Sequence, residues 1–237
     1  KLLKTKSPQT VKHVLALLKR LIRFGVSKGL TDAPNPRTLT ITMPRVDNET
    51  TEDLDPDELA RLLQAIEDEP NVQAANFMRM ALYTGMRRGE LFKLKWEDVD
   101  FQRGFINIVA PKGGKTTKIP MNDMARSILE SHPRMPGSLY VFPGQDGGRR
   151  KTIQVASNKI KARAGLPKDF RPLHGLRHCF ASMLASSGQV DMHVLQKLLT
   201  HKSATMTKRY AHLRDDALRQ ASDVAGEILR EAGKGKN

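Results

Sequence analysis

One stretch of this chain is punctuated for a β-hairpin: GFINIVA and KTTKIPM, two β-branched-rich runs, meet at PKGGK with its paired glycines in the turn. Most of the sequence around it places apolar residues at helical spacing. That combination restricts the fold to a mainly α domain carrying a small antiparallel β-sheet, an α+β class. SLYVFP reads as one further short strand.

The helical segments can be placed from their punctuation. SPQTVKHVLALLKRLIRFGVSKGL aligns Val11, Val14, Leu15, Leu18, Leu21, Ile22 and Phe24 between a Ser7-Pro8 start and a closing Gly29. TDAPNPRTLTITMPRVDNETTED, with three prolines and no helical period, reads as a linker with a short extended piece at TLTITM. Asp55, Pro56 and Glu58 form a capping-box start, and LARLLQAIED and VQAANFMRMALYTG follow as two amphipathic helices, the second ended by Gly85. Farther along, TIQVASNKIKARAG reads as a helix with Lys159, Lys161 and Arg163 on exposed faces. HGLRHCFASMLASSG, DMHVLQKLL, ATMTKRYAHL and RDDALRQASDVAGEILREAG complete the helical set. Residues 1–45 are thus a helix with its linker, and 50–237 a larger domain with a tail helix. In that tail Leu218, Ala221, Val224, Ala225, Ile228 and Leu229 form an apolar stripe that suits docking in cis or on a neighbour.

Charge points to a polyanionic partner. The chain carries 40 Lys and Arg against 25 Asp and Glu, a formal net charge of +15, with a pI near 10.1. The excess is uneven: residues 1–50 hold ten basic and three acidic side chains, 51–100 six and twelve, 101–237 twenty-four and ten. A basic face built from the N-terminal segment and the C-terminal half is expected, with TEDLDPDE and IEDE turned away from it. The single cysteine, Cys179, excludes an intramolecular disulfide and sits among apolar residues as a core position. The sequence holds no apolar run of about eighteen residues and no signal-peptide centre near its first residue, so a cytoplasmic, non-membrane protein is expected.

The residues with chemistry fall in four segments: Arg87 in TGMRRGEL, Lys112 in PKGGKTTKIP, His174 and Arg177 in HGLRH, and His201 and Tyr210 in LLTHKSATMTKRYAH. If they converge, they form a set able to attack a phosphodiester. Guanidinium forks answer the charge that builds on non-bridging oxygens. A phenol, with an ordinary pKa of about 10, needs a base or a cationic field to become a nucleophile. A hairpin lysine can protonate a departing 5′ oxygen. Taken singly, Lys112 reads as a solvated turn lysine, Tyr210 as an amphipathic surface residue, and Arg87 with Glu90 as a surface ion pair. His174 and His178, four apart, also invite a zinc reading. Gly175 follows His174, no glutamate lies between the histidines and no carboxylate follows nearby, so no metal is assigned and His178 is taken as structural.

From about Asp55 to about Leu213, and more weakly back to Ser7, these motifs occur in the order and spacing of the tyrosine recombinases, so the chain resembles the phage integrase family. The resemblance implies the catalytic-domain fold of that family preceded by part of a helical core-binding domain. Carried over residue by residue, it implies Arg87 in TG-x-R-x-x-E-L as the first catalytic arginine, supported by Glu90, and Lys112 as the hairpin lysine. It makes His174 and Arg177 the H-x-x-R pair, His201 the later histidine and Tyr210 the nucleophile. The family's Leu-Gly-His is Leu-Thr-His here, and Thr200 is expected to alter the local turn, because threonine lacks glycine's backbone freedom.

The resemblance further implies a site-specific recombinase or integrase of a prokaryotic cytoplasm, associated with the nucleoid. It would cut and rejoin DNA through a 3′-phosphotyrosine without cofactor, metal or ATP, His174 taking the tyrosine proton. Its expected partners are double-stranded attachment sites, three further copies in a homotetramer on paired sites (a monomer free in solution), and accessory DNA-bending proteins. DNA contacts are expected from Lys12, Lys19, Arg88, Lys115, Lys159, Lys161, Lys208 and Arg209. The tail helix is expected to pack on a neighbouring protomer. A resolvase, a topoisomerase-like relaxing enzyme and a non-catalytic DNA-binding protein remain alternatives. A two-metal transposase is disfavoured for want of a spaced carboxylate triad.

Overall fold

A computed structural model of the chain describes residues 5–31, 41–46, 53–109 and 116–234, without the side chains at 214–217, 220, 221 and 231–234. The chain divides into two compact units, residues 1–50 and 51–237.

In the first unit, helix α1 (Pro8–Ser27) begins where the sequence punctuates it: the Ser7 hydroxyl accepts from the Thr10 amide and Pro8 occupies the first turn. Of its apolar stripe only Val11 is buried, while Val14, Leu17, Leu18, Leu21 and Phe24 are exposed. Ile41–Val46 belongs to neither helix nor strand, although Lys19 Nζ donates to the Ile41 carbonyl. The rest of the expected extended piece, Thr38–Thr40, lies outside the described residues.

The second unit is mostly helical around one hydrophobic core. Helix α2 (Pro56–Glu67) opens with the expected capping box: the Glu58 amide donates to Asp55 Oδ1 at 2.7 Å, and the Asp55 amide to Glu58 Oε2 at 3.1 Å. Helix α3 (Val72–Thr84) departs from the amphipathic expectation, since Ala74, Ala75, Phe77, Met78, Met80, Ala81 and Leu82 are all buried. It is the central helix of the unit, covered on nearly every side. Phe77 packs against Phe92 and Phe142 with ring centroids 5.0 and 5.1 Å away.

Gly85 ends α3 in the left-handed region, at φ 63°. The short helix α4 (Arg88–Leu91), the 3₁₀ turn Trp96–Asp98 and a three-stranded antiparallel sheet follow. Strands β2 (Phe105–Ile108) and β3 (Thr117–Pro120) are the expected hairpin, with the buried Ile106 and Ile119 opposite one another. The edge strand β1 (Val99–Asp100) has only two residues and no sequence signal of its own. SLYVFP makes no strand; Tyr140 forms an isolated bridge with Lys95, and Val141 donates to the Leu94 carbonyl. Helix α5 (Asp123–Ser131), capped by Asn122 and burying Ala125, Ile128 and Leu129, went unread in the sequence.

Helix α6 (Gln154–Arg163) is as expected, with Lys159 and Arg163 exposed, Arg163 also donating to the Ala65 carbonyl and Glu69, whereas Lys161 is half-buried. Helix α7 (Pro172–Ser186) spans two clusters: Leu173, Leu176 and Cys179 face the main core, and Ala181 and Ala185 a smaller one with Leu195, Leu199 and Tyr210. Helix α8 (Met192–Leu198) is capped by Asp191. ATMTKRYAHL is not a separate helix. Two 3₁₀ turns, Ala204–Met206 and Lys208–Tyr210, lead directly into α9 (Ala211–Lys234), which runs through the RDD stretch without a break. On α9, Leu218, Val224, Ile228 and Leu229 are exposed. No helix among the described residues is long and apolar enough to cross a membrane.

The turn at Gly85 is testable against a matched control, because Gly165 has the same φ of 63° with nothing near its missing Cβ, whereas a Cβ on Gly85 would overlap the Phe180 ring. Forcing alanine into this region costs about 1–2 kcal/mol, and overpacking adds about 1–3 kcal/mol. Gly85→Ala is therefore expected to lower the melting temperature more than Gly165→Ala; equal shifts by circular dichroism would show that Phe180 yields without cost.

Candidate active site

The α3 terminus, the α8 terminus and one side of α7 meet around two arginines. Arg177, on α7, is only 7% exposed. A guanidinium in that position must satisfy its donors internally. It does so by donating from Nη1 to the Gly85 carbonyl and from Nη2 to the Leu199 carbonyl. Burial, followed by the nearby Arg87 charge, lowers its pKa to about 10, so it remains a cation at neutral pH.

Arg87 stands two residues beyond Gly85 and caps α4. Glu90 braces it twice, Oε1 accepting from Nη1 at 2.9 Å and Oε2 from the Arg87 amide at 2.8 Å. The same Nη1 donates to Thr200 Oγ1 at 2.6 Å and to the Thr200 carbonyl at 3.3 Å. Consecutive residues of one turn, Leu199 and Thr200, therefore receive the two arginines. Contrary to expectation, Thr200 keeps the backbone conformation that suits glycine: its φ is 50°.

His201 follows on that turn, half-buried, with Nδ1 2.8 Å from Thr207 Oγ1. Its pKa falls to about 4 through burial and then the charges of Arg177, Arg87 and Arg209, which leaves a neutral ring. Tyr210 lies at the entry to α9, 2% exposed and part of the smaller apolar cluster. Burial raises its pKa to about 12, outweighing the opposite pull of Arg209 and Arg177.

The proton partner of the phenol differs from the expected one. Tyr210 Oη lies 2.6 Å from His178 Nδ1, and His178 Nε2 lies 2.9 Å from His174 Nε2. His178, read from the sequence as structural, is thus the group that touches the phenol, and His174 stands one hydrogen bond farther away, exposed on the outer side of α7. Burial first, and then His174 and Arg209, depress the His178 pKa to about 3. Two tautomers of a neutral His178 fit these contacts: either Nδ1 accepts from the phenol while Nε2–H donates to His174, or Nε2 accepts from His174 and Arg209 while Nδ1–H donates to the phenol oxygen. Only the first lets the phenol pass its proton to this ring. Arg209 Nη1 also approaches His178 Nε2, at 3.4 Å. Among the described residues no group of three or more His, Cys, Asp or Glu is arranged to hold a metal ion.

The structure thus brings Arg87, Glu90, Arg177 and His201 together at the 199–201 turn and links Tyr210, His174 and Arg209 through His178, the arginines lying close enough to act electrostatically on His201 and Tyr210. Lys112 and Lys115 lie outside the described residues. Arg88, Lys159 and Lys208 are exposed, and Lys161 donates to the Lys168 carbonyl. Lys12 and Lys19 belong to the other unit. Sequence reasoning missed Thr207 and the roles of His178 and Thr200. The available signals were the i+4 spacing of His178 from His174 and the departure from glycine at 200.

Known proteins share this fold. A family model described as the phage integrase family matches residues 52–217. The tyrosine recombinase XerC of Xanthomonas campestris pv. campestris is 32% identical over 226 residues, covering 92% of this chain and 68% of that protein. The crystal structure of XerA recombinase superposes with a TM-score of 0.62 at 26% identity, over 94% of this chain and 84% of that one. The Tn1549 transposon integrase in complex with a circular intermediate DNA gives a TM-score of 0.73 at 21% identity, over 94% and 81%.

The histidines give a pH dependence with a definite sign. His178 and His201, and His132, which is buried just past the end of α5 and outside the site, have folded-state pKa values of about 3, 4 and 4, below the ordinary 6.5. Between those values and 6.5 the unfolded chain binds more protons, so stability rises with pH there. The melting temperature is expected to fall steadily as pH is lowered from about 6.5 toward 4. A flat profile over that interval would mean that the rings are not held neutral.

Proposed function

This chain belongs to the phage integrase family and is a site-specific tyrosine recombinase, and we propose that Tyr210 is the residue through which it cuts and rejoins DNA. Tyr210 Oη attacks the scissile phosphorus while the bond to the 5′ oxygen breaks, giving a 3′-phosphotyrosine and a free 5′-hydroxyl. A 5′-hydroxyl from the partner duplex then attacks that phosphorus and releases the phenol. The phosphodiester's energy is kept in the protein–DNA bond, so the exchange requires neither ATP nor metal.

The observation that supports this reading best is the convergence of Arg87 and Arg177 on the 199–200 turn, beside the segment that carries Tyr210. Two cations fixed before substrate arrives stabilise charge on the non-bridging oxygens without reorganising. Glu90 orients Arg87, and neutral His201 adds a hydrogen-bond donor toward the phosphate. Lys112 protonates the leaving 5′ oxygen. The phenol's proton passes first to His178, the ring it touches, and from there toward His174.

Residues 1–45 form part of a helical core-binding unit, with Lys12 and Lys19 toward the phosphate backbone, as Arg88, Lys115, Lys159, Lys161, Lys208 and Arg209 are in residues 50–237. Four copies assemble on paired double-stranded sites, aided by DNA-bending proteins, in the cytoplasm and on the nucleoid. The exposed Leu218, Val224, Ile228 and Leu229 support docking of α9 on a neighbouring copy.

The test uses nicked suicide duplexes bearing a core that the unaltered protein captures covalently from a randomised pool. Tyr210→Phe is expected to bind this DNA and form no SDS-resistant adduct; an adduct from the variant would remove Tyr210 from the nucleophile's role. Arg87→Ala is expected to slow adduct formation by at least about 10²-fold, the effect of losing one preorganised donor. Arg177→Ala should lose cleavage and also melting temperature, because it releases two buried carbonyls.

A further inference from the structure

Helix α8 ends in a motif built for glycine. The His201 amide donates to the Gln196 carbonyl and the Thr200 amide to the Lys197 carbonyl, each at 3.0 Å. This is the crossed pair of bonds that closes a helix when the residue just past its cap turns left-handed. Thr200 occupies that position at φ 50°, and among the described residues it is the one non-glycine residue with a positive φ. A β-branched side chain is among the least suited to that region. A strained backbone persists where the surroundings hold it in place, and here the surroundings are the site itself.

What the side chain adds is a closed triangle. Thr200 Oγ1 accepts from Arg87 Nη1 at 2.6 Å and lies 3.3 Å from Glu90 Oε1, to which its single proton is directed, while the same carboxylate oxygen accepts from Nη1 at 2.9 Å. Each of the three groups thus fixes the other two. All of the guanidinium's hydrogen bonds among the described residues pass through Nη1, so Nε and Nη2 form an edge whose direction the triangle sets. An edge of two parallel N–H donors is what a phosphate's paired oxygens accept.

We infer that Thr200 is a positioning residue for DNA cleavage: its hydroxyl, with Glu90, aims the Nε–Nη2 edge of Arg87, and glycine in its place would relax the backbone and lose the aim. This rests on the reading of Arg87 as a catalytic group. A purely structural role for Thr200 would make glycine harmless or beneficial on every measure, whereas a positioning role separates stability from rate.

Four variants, assayed by single-turnover adduct formation on the captured nicked duplex, by mobility shift for affinity and by thermal denaturation, decide the matter. Thr200→Gly is expected to melt higher than the unaltered protein and to bind DNA equally well. It should cleave tenfold or more slowly, up to the order of 10²-fold that misplacing a reacting group by about 1 Å brings. Thr200→Val, which keeps the shape and loses the hydroxyl, should be slowed as much, and Thr200→Ser should restore the rate to near that of the unaltered protein. Arg87→Ala separates the two ways of being wrong. If Arg87→Ala cleaves normally, the catalytic reading of Arg87 falls and the positioning role with it. If Arg87→Ala is inactive while Thr200→Gly and Thr200→Val cleave at the unaltered rate, only the positioning role is overturned.

Discussion

The buried guanidinium of Arg177 is the interaction on which the rest of the site depends. A charge taken out of water is costly unless its donors are all met. Here one donor on each terminal nitrogen is met by a backbone carbonyl, those of Gly85 and Leu199, which are far apart in sequence. That requirement fixes the end of α3 against the end of α8. With those ends adjacent, Arg87, two residues past Gly85, donates to the next residue of the same turn, Thr200. Two arginines of like charge are thereby held close, and the Glu90 carboxylate beside them offsets part of the repulsion.

The same geometry explains why the histidines are neutral and the phenol unreactive at rest. His178 is buried and His201 half-buried beside fixed cations, and both influences disfavour a further positive charge. A neutral His178 can accept from Tyr210 Oη, which a protonated ring could not do. The tyrosine gains a partner but not activation, since burial outweighs the arginines and lifts its pKa to about 12. Nearby cations alone do not make a nucleophile; the phenol must also leave its apolar surroundings or hand its proton to the ring it touches.

Much of the scaffold was legible because its signals are local. The Asp55–Glu58 box, the paired β-branched runs of the hairpin, the Ser7-Pro8 start of α1 and Gly85 at the end of α3 all act over a few residues. The misses are cases where tertiary context overrides the local pattern. Strand β1 exists only because β2 pairs with it, α3 is buried all round because α5 and α7 pack on it, and SLYVFP pairs with the Leu94–Trp96 backbone rather than joining the sheet. The site follows the same division. Which residue types must gather was readable from their chemistry, but a histidine one residue from Arg177 offers no sequence sign that its ring, and not that of His174, meets the tyrosine.

Tyr210 is also part of the packing that holds the turn. Helix α8 has seven residues, too few to persist alone, so its last turn is placed by Leu195 and Leu199 packing against Ala181, Ala185 and the Tyr210 ring. Burying a side chain of that size contributes about 1.5–3 kcal/mol. Any displacement of the ring therefore withdraws support from Leu199, whose carbonyl anchors Arg177. Tyr210 and Leu199 share one small apolar cluster, so a change in the seat of Tyr210 reaches the turn whose consecutive residues, Leu199 and Thr200, accept from Arg177 and Arg87.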